Sequence, residues 1–373
     1  MTNQNKRLLI ICNAPFQVIV ALHILELYYS DAIVDFLVSD QFKGSDQIAK
    51  NAQESKRFRN VFYIKSKKWW KKKSTTADKI KYYTTLTCSV IQNLFNVVKV
   101  GRYTYDTILF TNISVFTKLL CSVLTKRNNN CKIHIFEEGL GTYSQVYAES
   151  DSEKSFYRRF IDHKGIFFQT ERLYLFHPQF LTWYFPPEKI CVIPPLSPSN
   201  KSFLNLANQL FKYSNNIDQY DKKVIFFEES YYAEGDDVPD IEIVNMISQY
   251  VGKDNIMIKV HPRNPINRFK ELGYKTNINN SIPWELIMLN QPIENKIFVT
   301  IASGAAINPY LYLGIKVSSY SLLNCLKNRP GIMNTQLGEL MANVYATFPE
   351  YLKAPTDFDS FITEFSQDIS LVK

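Results

Sequence analysis

No Cys-x-x-Cys pair occurs in this sequence. Its six cysteines, Cys12, Cys88, Cys121, Cys131, Cys191 and Cys325, stand apart, mostly inside apolar runs. That scatter argues against a zinc site and against a disulfide framework, and for buried, reduced thiols in a cytosolic setting. No apolar run reaches the ~18 residues of a membrane span. The apolar start, Leu8 to Cys12, ends at Asn13-Ala14-Pro15, too soon for the core of a signal peptide, and reads as a first strand. GxGxxG is missing, which weighs against a nicotinamide dehydrogenase. The lysine of a Walker A loop is missing, which excludes a P-loop ATPase, and no GxSxG elbow marks an α/β-hydrolase. Helix-turn-helix, RNP-type and zinc-finger signatures are absent, so nucleic acid is not an expected partner. Metal ligands are sparse. The one Asp-x-Asp, Asp357-Phe358-Asp359, reads as the capped start of the last helix, and Asp236-Asp237 has no further ligands in view. Neither a metal nor a cofactor is expected in the chemistry.

What is present is aromatic and basic. There are 26 Phe and 23 Tyr, and 43 Lys and Arg stand against 35 Asp and Glu for a net charge of +8. The aromatics suit thick cores and a site for flat or sugar-like ligands, and the charge favours anionic partners such as phosphates, nucleotides, acidic glycans or a membrane surface. The densest basic stretch runs from Lys65 to Lys73, where six lysines flank Trp69-Trp70. It reads as a solvated loop or as a patch that meets an acidic glycan or makes peripheral contact with anionic lipid at the inner face of the plasma membrane.

Strands and helices alternate along the chain. Arg7 to Cys12, a helix from Phe16 to about Tyr29, and Ala32 to Val38 form a βαβ unit. Strands are expected at 61–64, 107–110, 133–136, 167–175 and 190–193, and helices at 85–98 and 114–124. Pro194-Pro195-Leu196-Ser197-Pro198-Ser199-Asn200 is the clearest linker. A second series follows, with strands at 223–227, 256–260, 297–301 and 317–320 and helices at 240–250, 282–290, 335–346 and 358–365. The expectation is an α/β protein of two doubly wound, Rossmann-like domains, residues 1–195 and 196–373, with a cleft between them.

Three strand ends carry candidate chemistry. Phe136-Glu137-Glu138-Gly139 puts adjacent carboxylates beside a glycine turn. It is either an ordinary acidic turn or a carboxylate displayed at a cleft. His261-Pro262-Arg263 is either a structural turn or a general acid and phosphate donor, since histidine exchanges protons near neutrality. Ala302-Ser303-Gly304-Ala305-Ala306 is small enough for tight packing or for a backbone that approaches a phosphate. In open α/β sheets ligands sit beyond the carboxyl ends of the strands, where all three fall.

Together with Asn13-Ala14-Pro15-Phe16-Gln17, these motifs in this order resemble bacterial sialyltransferases, most nearly glycosyltransferase family 52, over residues 7 to 320. The resemblance implies a GT-B fold and an inverting, metal-independent transfer of sialic acid from CMP-sialic acid to a galactose-type acceptor of a capsule or lipooligosaccharide. Carried over, Glu137 is the base and His261 the acid that assists departure of CMP. Pro262, Arg263, Glu285, Thr300, Ser303 and Gly304 hold the donor, while Asn13, Gln17, Glu138 and Gly139 line the acceptor side. Some relatives place the base shortly before His-Pro, which makes Glu229 or Glu228 the rival. A homodimer and a different nucleotide-sugar donor are left open, as is a non-catalytic binder of anionic glycan or membrane.

Overall fold

The computed structural model describes residues 6–65, 94–111, 114–144, 169–214, 220–235, 238–328 and 336–372. Strands β1 (Arg7–Cys12), β2 (Ile33–Ser39), β3 (Asn60–Ile64), β4 (Thr107–Phe110), β5 (Lys132–Phe136), β6 (Thr170–Leu175) and β7 (Ile190–Val192) form one parallel sheet, in the order β3-β2-β1-β4-β5-β6-β7. Their near-continuous apolar runs follow from that geometry, because crossover helices cover both faces of a parallel sheet. Leu8 to Cys12 is wholly buried. Helix α1 (Pro15–Tyr28) starts with proline at its first turn and buries every residue from Gln17 to Leu25, as its all-round apolar surface predicts.

Three more helices belong to this half: α2 (Ser45–Glu54), α3 (94–101) and α4 (Val115–Arg127). The Ser114 hydroxyl accepts the Thr117 N–H (3.1 Å), the cap its sequence position predicts. Helix α2 was not expected. Its apolar face is only Ile48, Ala49 and Ala52, too sparse for a clear period. The expected helix at 85–98 lies outside the described residues up to 93, as do 167 and 168 of the expected strand, Asp236-Asp237 and the basic patch beyond Lys65.

The second sheet is also parallel, in the order β10-β9-β8-β11-β12-β13. It is built from β8 (Val224–Phe227), β9 (Ile256–Lys259), β10 (Lys275–Thr276), β11 (Ile297–Thr300), β12 (Ser318–Ser321) and β13 (Leu352–Lys353). Between the sheets, the Pro-rich segment leads into helix α5 (Lys201–Phe211), capped by Asn200, whose side chain accepts the Phe203 N–H (3.2 Å). Helix α5 follows the linker in sequence but packs on α1 and α2. There the Asn51 side chain donates to Leu210 O (2.7 Å). Beyond two single-turn helices, Tyr231–Glu234 and Arg268–Glu271, the helices of this half are α6 (Asp240–Val251), α7 (Trp284–Asn290), α8 (Asn308–Leu313), α9 (Gln336–Thr347) and α10 (Phe358–Leu371). Helix α10 opens with a capping box between Asp357 and Ser360, so Asp357 is a cap in the structure as in the sequence. No helix among the described residues is long and apolar enough to cross a membrane.

Strand order reverses between β1 and β4 in the first sheet and between β8 and β11 in the second. A crevice opens at the carboxyl ends of strands where the order reverses. Asn13 follows β1, Glu228-Glu229 follow β8, and the Ser303 turn follows β11.

Candidate active site

Glu137 leaves the end of β5 with no exposed surface. Its Oε2 accepts the Phe176 N–H (2.9 Å) and the Tyr143 hydroxyl, while Oε1 has no hydrogen-bond partner. Beside it stands the Tyr312 hydroxyl, carried by α8 of the second half. Burial pushes the carboxyl up to about 7, against the pull of the Tyr143 and Phe176 donors and of the nearby Tyr312 hydroxyl. The pair of glutamates is therefore split. Glu138 is half-buried, keeps contact with solvent, and accepts from Gln17 Nε2 (2.9 Å). Gln17 Oε1 in turn accepts the Asn13 N–H (2.6 Å), so the β1 turn and the β5 turn form one hydrogen-bonded run. Gly139, at φ +123°, adopts a backbone that other residues rarely reach, and the Thr142 hydroxyl closes the turn onto the Glu138 N–H (2.9 Å).

Across the seam, His261 follows β9. Its Nδ1 accepts the Arg263 N–H (3.2 Å), so the neutral ring carries its hydrogen on Nε2. Burial first, then Arg263 and Lys259, pull this imidazole down to about 4. At neutral pH it is an Nε2–H donor, and only a nearby anion would make it an imidazolium. The Arg263 guanidinium is exposed and pairs with Glu234 (2.8 Å), and Pro262 is exposed.

The two rival glutamates have different roles. Glu228 is buried, accepts the His261 N–H (3.1 Å) and is ion-paired with Arg268 (3.1 Å), which also binds Asp240. It positions the histidine. Glu229 is half-buried beside Thr300 and Ser303, and burial pushes it to about 7 against their hydrogen bonds. A carboxyl half-protonated at neutral pH can face a phosphate without full like-charge repulsion. Thr300 is wholly buried. Its hydroxyl donates to Phe227 O (3.1 Å) and accepts the Ser303 N–H (3.0 Å), so it ties β8 to the turn. Ser303 Oγ accepts the Ala305 N–H (3.3 Å), and a side chain built at Gly304 would meet nothing within 4 Å. Glu285, at the start of α7, is buried and accepts from Asn308 (2.6 Å), which fixes α7 to α8 just beyond the turn.

The two halves meet through α8. Tyr312 packs on Phe16 and Phe176 at centroid distances of 4.8 and 5.0 Å, its carbonyl accepts the Leu196 N–H (2.7 Å), and His177 Nε2 donates to Leu311 O (2.7 Å). Neither Tyr312 nor His177 was legible as a site residue. The stretch Asn308 to Leu313 reads only as a short apolar helix. Tyr143 lay within the acidic motif, and its hydroxyl, six residues from Glu137, was the one available signal. Among the described residues no group of three or more His, Cys, Asp or Glu is gathered as a metal site.

The model of the alpha-2,8-polysialyltransferase (POLYST) family matches residues 8–321 of the chain. No curated protein matches. Among solved structures, the chain is similar to UGT89C1 of Arabidopsis thaliana, with a TM-score of 0.52 and 12% identity over 99% of this chain and 93% of that one. It is also similar to the 2,6-sialyltransferase of Vibrionaceae Photobacterium sp. JT-ISH-224, solved with the donor product CMP and the acceptor substrate lactose. There the TM-score is 0.50 and the identity 12%, over 91% of this chain and 76% of that one. At such identities the likeness speaks for the fold, and the fold is GT-B.

Proposed function

Since the chain belongs to the alpha-2,8-polysialyltransferase family, we propose that it transfers sialic acid from CMP-sialic acid to a bacterial surface glycan, with inversion and without a metal. As a glycosyltransferase it needs a base for the acceptor hydroxyl and a partner for the departing phosphate. One observation carries the reading. Glu137, tuned to about 7, and the Ser303–Tyr312 segment meet at the seam between two sheet ends, with His261 and Glu229 at the neighbouring strand ends of the second sheet.

In this reading, Glu137 Oε1 takes the acceptor proton as the hydroxyl oxygen attacks the anomeric carbon. The bond to CMP breaks on the opposite face, and His261 Nε2–H donates to the phosphate oxygen. The seam must open for this, because Tyr312 covers Glu137 in the present arrangement. Geometry before substrate binding does not rule out a base whose reach depends on closure or opening. Glu138 is the second reading for the base, favoured by its half-buried carboxylate, which keeps contact with solvent. The motif likeness to glycosyltransferase family 52 belongs to the same proposal, as do capsule or lipooligosaccharide as the acceptor and the cytoplasmic, membrane-peripheral location.

Release of CMP from CMP-sialic acid, followed with and without EDTA, tests the reaction. We expect turnover unchanged by the chelator and reduced about 10²–10⁴-fold in His261→Ala, the usual range for loss of a proton-transfer group. Full turnover in that variant would overturn the mechanism, and release of UDP from a UDP-sugar instead would reassign the donor. Lactose and a sialylated lactoside, compared as acceptors, separate a galactose-type end from the sialylated end that the family name favours.

A further inference from the structure

At the end of the first sheet away from the cleft lies a pocket of about 470 Å³, within the ~300–1,000 Å³ range of small-molecule sites. It is walled by the amino ends of β1, β4, β5 and β6 and the last turn of α1. Three cations stand around it: Lys6 before β1, Lys132 opening β5, and Arg172 in β6. The one carboxylate in the wall, Asp106, already accepts the Arg7 N–H (2.9 Å), while Lys132 shares its charge with Glu171 (2.9 Å) at the exposed rim.

The floor is a polar relay. Arg172 hydrogen-bonds Tyr174, the Tyr174 hydroxyl lies 2.9 Å from that of Tyr29, and the Tyr29 hydroxyl lies 2.6 Å from His134 Nδ1. A guanidinium only donates, so the Tyr174 hydroxyl accepts from Arg172, and the tyrosine pair can meet Nδ1 in either tautomer. In both tautomers His134 Nε2 has no partner, although the residue is only 5% exposed. An unpaired buried polar atom is a costly feature that a bound hydroxyl, able to donate or accept, relieves. The same imidazole is pulled down to about 4 by burial and by Arg172, Lys132 and Lys6, so the three cations converge on this point.

We propose that this pocket is a second glycan site, which holds one carboxylated sugar of an acidic chain, with its carboxylate toward Arg172 and Lys6 and a ring hydroxyl on His134 Nε2. Tyr28, 40% exposed and held with its ring 5.4 Å from that of buried Tyr174, offers an apolar face to the sugar ring. The choice of a carboxylated sugar rests on the sialyl-transfer reading, whereas the pocket and its unpaired imidazole nitrogen do not. Located away from the reacting ends, the site tethers an acceptor or product chain and raises its concentration at the cleft.

Calorimetric titration of an α-2,8-linked sialic acid trimer into CMP-saturated enzyme tests this, with lactose and inorganic phosphate as further probes. We expect Arg172→Ala and Lys6→Ala to weaken trimer binding about tenfold or more while turnover of a short acceptor is kept, His261→Ala to leave binding unchanged, and lactose not to bind. Unchanged trimer affinity in both pocket variants overturns the proposal. Phosphate binding with the same dependence on Arg172 also overturns it, in favour of a phosphate site. If trimer binding depends on Arg172 but CMP-sialic acid is not turned over, the catalytic reading fails and this one stands.

Discussion

If Glu137 is the base of the proposed reaction, one side chain is costly to the fold and useful to the chemistry. Raising a carboxyl from 4.5 to about 7 corresponds to roughly 3 kcal/mol in favour of the neutral acid. The folded state holds this proton more tightly than the unfolded chain does. The penalty is therefore absent below about 4.5, grows as pH rises, and is complete above about 7. Glu137→Gln keeps the shape and an acceptor for the Phe176 N–H without the charge. We expect its urea midpoint at pH 8 to exceed that of the native chain, with the gain vanishing toward pH 5, while turnover falls about 10²-fold or more. A gain in stability without loss of turnover would move the base to Glu138. Tyr312→Phe removes a nearby hydroxyl that lowers the Glu137 pKa, so the acidic limb of kcat/KM is expected to shift upward in pH.

At the scale of elements, the proposed reaction gives the turn after β11 the task of letting a phosphate come close. Thr300 anchors the turn to β8 from below, and Ser303 caps it from within, leaving open space above Gly304. Gly304 has no positive φ, so the open space is the feature a larger residue would remove. Gly304→Val is expected to fold normally, with an unchanged melting temperature, and to raise the donor KM roughly 10–200-fold, the range for steric misfit in a pocket. A donor KM within twofold of the native value would show that no ligand approaches there. The ends that carry the candidate residues were legible in sequence because β5, β8, β9 and β11 are mostly apolar runs that stop at acid, His-Pro or small residues: Lys259-Val260-His261-Pro262 and Thr300-Ile301-Ala302-Ser303 are two such breaks. Helix α5 was not legible, since the Pro-rich segment before it reads as a boundary while its apolar face packs back onto α1 and α2.

For the whole molecule, α8 is the clasp. Tyr312 is buried between Phe16 and Phe176, so the same side chain joins the two sheets and covers Glu137. Tyr312→Ala would leave a cavity of a kind that costs about 3–5 kcal/mol for large aromatic truncations. We expect a lower urea midpoint and a larger radius of gyration by small-angle scattering. An unchanged radius would mean that the Pro194–Asn200 segment and the His177–Leu311 bond hold the halves together without Tyr312.

The sequence by itself determined the two α/β series, the strand ends at which the candidate residues stand, and the motif order that points to sialyl transfer. These follow from local properties: apolar runs, breaks at Pro and Gly, and residue types at fixed spacings. Only the tertiary structure decided that Glu137 is buried while its neighbour Glu138 is not, that Glu228 positions His261 while Glu229 faces Ser303, and that Tyr312 closes the seam. Adjacent residues at a strand end point in opposite directions, and which of them meets solvent depends on what another part of the chain lays over it.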